Sequence, residues 1–274
     1  MINREENFDT FQYLKIFLLI VLFSILFSLV YKGVKLVTES KFWGSYYNLL
    51  VVTPDDYFLL QINNSSGKAT LMEAVGLKRK KNDSRFEICM EIGVPCDGLL
   101  VYTNARDAKG FENIVTFTSV VNMIFSKKNY QLENMNTLDL VKVYFYLKSV
   151  SDNNFYRFKY DFRKSESLKM YDLFKNDLII NDKLSLEIIN STSINGLGTN
   201  FSEMLKSAGY SVVFVSSSEE KSLSKIIYRV DGNSVTLKYL RNFLNIPGEY
   251  KNESSIADIT VILGNDLFSE ANEN

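Results

Sequence analysis

The sequence predicts a mixed α/β (α+β) protein in which one N-terminal transmembrane helix precedes two mixed α/β domains, the C-terminal one ordered βαββαβ. Three observations predict it: an unbroken apolar run from Ile16 to Tyr31, short strand-like runs between Tyr46 and Asn104, and, beyond Leu184, strands alternating with amphipathic helical segments. The expected boundaries are a short tail over 1–15, an anchor over 16–36, a middle domain over 43–180, a C-terminal domain over 183–266 and a disordered tail over 267–274.

Between Ile16 and Tyr31 only Ser24 and Ser28 are polar, and a helical serine can bond back to a carbonyl of the preceding turn. Flanking apolar residues, with Lys15 and Lys32 able to snorkel, extend the run to roughly the 20 residues a bilayer requires. Tyr13, Tyr31 and Trp43 suit the interfacial belts. The run has no amphipathic stripe, which argues against a buried soluble helix, and no small-x-small site follows it, which argues against a cleaved signal peptide. Lysines on both sides leave orientation open, while the size asymmetry favours an exported C-terminal bulk.

In the middle region YYNLLVV, DYFLLQIN, KATLMEAVG, FEICMEI and DGLLVYTN read as strands. Helical spacing marks GFENIVTFTSVVNMIFSKK, TLDLVKVYFYLKSV and, more briefly, LKMYDLFKN. FYRFKYDF alternates rings with Arg157, Lys159 and Asp161, the pattern of a half-wet strand, although such rings also stack sugars or bases.

Beyond it LSLEIIN is a strand and STSINGLGT a loop. NFSEMLKSAGY is a helix, with Asn200 and Glu203 spaced as a capping box and Gly209 as its stop. YSVVFVSSS and KIIYRV are strands, Ser234 to Asn245 a helix, and DITVILG a buried strand. Such an order packs two helices on one face of a small sheet, as in split βαβ folds.

With 31 Lys and Arg against 32 Asp and Glu, the net charge of −1 supplies no field for nucleic acid, and no nucleic-acid partner is expected. The chain has no histidine, which excludes Ser-His-Asp, Cys-His and HExxH chemistry. Cys89 and Cys96 are too few for a disulfide framework; two half-buried thiols are favoured over a bridge across a strand pair. No cofactor and no metal site are expected.

The C-terminal run resembles the C-terminal domain of LytR/CpsA/Psr-type cell-envelope proteins. Asn190, Ser191 and Thr192 stand at that domain's tripeptide, Gly196 and Leu197 at its loop, Ala208, Gly209 and Tyr210 at its helix end, and Leu263, Gly264 and Asn265 at its close. Fainter is the similarity of GVPCDGLLVYTNARDAKGFENIV, through Gly93, Val94, Pro95, Asp97, Gly110 and Phe111, to the same family's catalytic domain. That domain's Ile-Pro-Arg-Asp motif is missing: after the third strand the chain reads AVGLKRKKND. The resemblance implies a cell-envelope protein, and the missing motif removes the oriented cations that phosphoryl transfer requires.

Several residues remain as candidates. Asn190, Ser191, Thr192, Gly196 and Leu197 form the candidate binding loop. Gly196-Leu197-Gly198, between a strand and a helix start, could hold a phosphate, but turning the chain is the favoured role because the third glycine of the dinucleotide fingerprint is missing. Lys78, Arg79, Lys80 and Lys81 are possible contacts for an anionic ligand, or simply an exposed loop. Asp55 and Asp56 read as solvated turn residues. No catalytic residue is assigned. The expected function is a membrane-anchored, non-enzymatic envelope protein whose C-terminal domain binds cell-wall polymer or an envelope protein, with the bilayer as partner for 16–36. The alternative is transfer of a glycopolymer from a polyprenyl-diphosphate carrier to peptidoglycan, which needs Arg79, Arg85 or Arg106 in place of the missing arginines. A transcriptional attenuator lacks any helix-turn-helix signal or basic face.

Overall fold

The computed structural model describes residues 6–42, 45–54, 56–77, 84–102, 130–163 and 171–268, which divide into two compact units, 1–40 and 41–274. The expected helix over Gly110–Lys128, the ring of Trp43, Asp55, Arg106 and the Lys78–Lys81 run lie outside the described residues.

The first unit is the helix α1 (Glu6–Thr38), apolar and unburied from Gln12 to Thr38. Those 27 residues rise about 40 Å, more than the roughly 30 Å of a hydrocarbon core. Ser24 Oγ donates to the Ile20 carbonyl at 2.8 Å, so this polar side chain is satisfied within the helix, as expected. The helix is long and apolar enough to cross a membrane.

The second unit holds two mixed sheets. The first contains β1 (Tyr46–Val52), β2 (Tyr57–Asn63), β3 (Lys68–Val75), β4 (Gly98–Tyr102), β5 (Tyr130–Glu133) and β6 (Phe155–Asp161) in the order β5-β4-β1-β2-β3-β6. Two tight turns make the antiparallel β1-β2-β3 meander. In the first, the Thr53 N–H donates to the Asp56 carbonyl at 2.9 Å and the Asp56 N–H returns to Thr53 Oγ1 at 2.8 Å. Every residue of β1 is buried, because the sheet is covered on both faces. Tyr47, Leu49, Val51, Leu60 and Ile62 pack with Leu140, Val143 and Leu147 of α3 (Thr137–Ser149). That helix starts at a capping box in which Asn136 accepts from the Asp139 N–H.

The other face of the same sheet, through Leu50, Val52, Leu59 and Met72, joins a core containing α2 (Arg85–Ile92) and the C-terminal elements. Here the sequence reading fails: FEICMEI, expected as a strand, is α2. Over seven residues a period of two (Phe86, Ile88, Met90, Ile92) and the helical spacing Ile88, Cys89, Ile92 overlap, and the ends decide. Ser84 and Glu87 form a capping box, and Gly93 closes the helix in the left-handed conformation at φ 76°. The thiols are also corrected. Cys89, on α2, is disulfide-bonded to Cys96, in the loop before β4, with 5.9 Å between Cα atoms, and both residues are fully buried.

A short helix α4 (Asp177–Asp182) leads into the second sheet: β7 (Ser185–Asn190), β8 (Ser211–Ser217), β9 (Lys225–Tyr228), β10 (Gly248–Tyr250) and β11 (Ile259–Leu263), in the order β10-β9-β11-β7-β8. Helix α5 (Leu197–Ser207) crosses between the parallel strands β7 and β8, and α6 (Val235–Leu244) between β9 and β10. The predicted βαββαβ order holds, with the three-residue β10 added before the last strand. Phe201 of α5 and Phe243 of α6 stack at 6.3 Å, and Phe86 of α2 lies 5.6 and 6.2 Å from them, so one aromatic cluster joins the two sheets. Leu267 and Phe268, placed in a disordered tail by the sequence, lie in a closing 3-10 turn packed on this core; residues 269–274 are outside the description.

Helix α5 begins earlier than its expected cap. Gly196, at φ 77°, is the N-cap and makes no side-chain bond, while the Asn200 N–H donates to the Gly196 carbonyl at 3.0 Å, so Asn200 lies in the first turn and is no cap. At the other end Gly209 is required as expected: its φ is 99°, and a Cβ there would stand 2.6 Å from Ile180 Cγ1.

Candidate functional site

The Asn-Ser-Thr stretch at the end of β7 is a hydrogen-bonded clamp. Asn190 Nδ2 donates to the Ile194 carbonyl at 2.9 Å, and its Oδ1 accepts from the Thr192 N–H at 3.1 Å and from Thr192 Oγ1 at 2.7 Å. Thr192 Oγ1 in turn accepts from the Ile194 N–H at 3.2 Å. Ser191 Oγ meets Ser218 Oγ at 2.7 Å, and the Ser191 carbonyl accepts from the Lys221 N–H at 2.8 Å. Asn190, Ser191, Thr192 and Leu197 are buried, whereas Ser193, Ile194, Asn195, Gly196, Thr199 and Asn200 are exposed. The clamp fixes an Asx-type turn, and the turn presents a polar ridge to solvent.

A second polar cluster lies where the sheets meet, around a cavity of about 140 Å³ lined by Arg85, Glu133, Asn134, Asn245 and Asp266 among others. Arg85 is 6% exposed. Its Nη1 donates to the Cys96 carbonyl at 2.5 Å, its Nη2 to the Phe243 carbonyl at 2.6 Å, and its Nε stands 3.4 Å from Glu133 Oε1. The guanidinium therefore satisfies a carbonyl in the last turn of α6, tying α2 to the C-terminal domain. Asn134, in the left-handed region at φ 53°, makes a parallel tie through Nδ2, donating to the Asp97 and Asn242 carbonyls at 2.7 Å each. Lys41 Nζ donates to Asn245 Oδ1 at 2.9 Å; burial and the nearby Arg85 hold its pKa below the usual lysine value, against the pull of Asp139.

Asp97 is buried behind this cluster, and burial pushes its pKa up to about 7 against the opposing Asn48 N–H, at 2.8 Å from Oδ2, and Arg85. A carboxyl so placed can carry a proton near neutrality, but its Oδ2 is taken up by the Asn48 N–H of β1 and the residue is buried. Among the described residues no group of three or more Cys, Asp or Glu is arranged to hold a metal ion. The sequence singled out Asp97 and Arg85 only through the faint family likeness and the search for replacement arginines. Glu133 and Asn134 gave no sequence signal, because their partners lie far along the chain. The proposed anionic contacts Lys78, Arg79, Lys80 and Lys81 lie outside the described residues.

Comparison with known proteins adds a family likeness for the C-terminal part. Residues 183–267 match the family described as LytR cell envelope-related transcriptional attenuator. No curated protein matches the chain. Among solved structures, a Listeria monocytogenes protein described as a transcriptional factor shares 11% identity over 42% of this chain and 82% of its own, with a TM-score of 0.28. A Listeria innocua protein shares 13% over 69% of this chain and 88% of its own, with a TM-score of 0.19. Similarities at those scores carry no argument. The β7-to-β11 unit, with its Asn190 clamp and its close at Leu263-Gly264-Asn265, is the part of the chain that matches the LytR family, and it follows an N-terminal helix long and apolar enough to span a membrane.

Proposed function

We propose that this chain is a single-pass, non-enzymatic cell-envelope protein whose LytR C-terminal domain binds cell-wall polymer on the extracytoplasmic side of the membrane. The observation that carries the reading is the LytR domain over 183–267 behind an apolar helix of 27 residues. The Asn190 clamp supports it. A polymer of sugars and amides is held by hydroxyl and amide groups fixed in place; the clamp fixes the turn that exposes Ser193 and Asn195, and the first turn of α5 exposes Thr199 and Asn200 beside it. In this reading Asn190, Ser191, Thr192, Gly196 and Leu197 shape the loop and its exposed neighbours make the contacts. Arg85 weighs against the transferase alternative, since both of its Nη atoms are committed to backbone carbonyls.

The test is co-sedimentation of the 41–274 unit with purified cell-wall sacculi. The whole unit is used because the C-terminal core is shared with the first sheet. Saturable pelleting that drops at least fivefold on replacing Asn195, Thr199 and Asn200 by Ala is the expected result. Pelleting unchanged by that triple replacement sinks the loop as the contact, and no pelleting at all sinks polymer binding and leaves an envelope protein as the partner to seek.

A further inference from the structure

The second sheet ends on β8, which pairs with β7 and, among the described residues, with no other strand. A sheet edge is a row of unpaired N–H and C=O groups, and folded proteins commonly guard it with charge, proline or shortness. The other edges here are guarded: β6 carries Arg157 and Lys159, β5 has four residues including Glu133, and β10 has three including Glu249. Strand β8 reads SVVFVSS, without charge or proline, and leaves Val213, Phe214 and Val215 exposed by 54%, 48% and 37%. Its register beside β7 slips at Val213, so Phe214 stands next to Glu187 and Val215 next to Ile188. Val215 Cγ1 reaches towards Gly198 of α5, so its neighbour Phe214 points to the opposite face, away from the helices.

We propose that β8 is a self-association edge: the β8 strands of two copies pair antiparallel about a two-fold axis at Phe214, joining two five-stranded sheets into one. A second copy is favoured over an unrelated strand by the pattern of β8 itself. Phe214 is the middle residue of Ser211–Ser217, so two-fold pairing sets Phe214 opposite itself, Val213 opposite Val215, Val212 opposite Ser216 and Ser211 opposite Ser217, with the apolar residues in the middle of the pair and serines towards its ends. One strand pair buries less than the roughly 1,200 Å² of a stable interface, so the contact is transient between free molecules. Confinement of both copies to one membrane raises their effective concentration, and in that respect alone the proposal rests on the anchored reading.

The experiment uses the full chain in phospholipid vesicles under mild oxidation. The native cysteines are bonded to each other and buried, so a single introduced thiol reports alone. F214C is expected to form a disulfide-linked dimer at least fivefold faster than I256C, which sits at a position 63% exposed outside β8. Differently tagged copies in detergent give an independent readout: two F214K copies lose co-purification, and F214K mixed with F214E recovers it. Equal crosslinking at the two sites, or no recovery in the mixed pair, overturns the proposal, including the case in which β8 pairs with a strand of another protein.

Discussion

Asp97 makes the stability of the 41–274 unit depend on pH. Its carboxyl is pushed from 3.8 to about 7 by burial, so the folded protein holds this proton more tightly than the unfolded chain does. The stabilisation from that proton is complete below about pH 4 and is lost as pH rises through 7. A shift of about three units corresponds to about 4 kcal/mol, an order-of-magnitude ceiling, at about 1.4 kcal/mol per unit. Asp97→Asn keeps an oxygen for the Asn48 N–H and carries no charge at any pH. Urea unfolding of the 41–274 unit at half-unit steps from pH 4.5 to 8 should show the native protein losing stability across the range while D97N stays nearly flat. Asp258 does not confuse the result: the Ser185 hydroxyl and N–H hold its pKa below 3.8, so its contribution disappears only at lower pH. Parallel curves for native and D97N proteins would refute the argument, because they would mean that Asp97 is ionised and adequately solvated throughout.

Other substitutions probe the junction and the loop. Arg85→Met takes the guanidinium donors from the Cys96 and Phe243 carbonyls and should lower unfolding free energy by about 2–4 kcal/mol in urea titration; a loss below about 1 kcal/mol would show that water replaces the guanidinium. Gly209→Ala meets both the positive φ and Ile180, and thermal unfolding should record a loss of at least about 1–2 kcal/mol. Reducing Cys89–Cys96 opens a short loop and should lower stability by about 2 kcal/mol, read as a shift in urea midpoint with and without reductant. Asn190→Ala removes three bonds of the clamp and should raise amide hydrogen exchange at Thr192 and Ile194, with little change at β11.

Strands β1 to β4 and β6 of the first sheet and the helix-strand alternation after Leu184 were legible because each is a continuous or periodic apolar run bounded by turn residues. Helix α2 was not, since seven residues are too few to separate two periods and the cap at Ser84 went unweighed. The short elements β5, β10 and α4 carry no pattern of their own and exist through their neighbours, as β10 does through β9. At the site, the sequence located the Asn190–Leu197 loop but not its inward bonding. Arg85, Asn134 and Asp97 became visible only in three dimensions: the bond from Arg85 to the Phe243 carbonyl spans 158 positions, and no local window contains it.

The most direct test of the account is protease accessibility of the full chain in protoplasts of an expressing bacterium. The account predicts that protease added outside removes the 41–274 unit and leaves only a small fragment containing α1 in the membrane. Full protection of the 41–274 unit until the membrane is breached would place the 183–267 segment on the inner side and contradict binding to the wall.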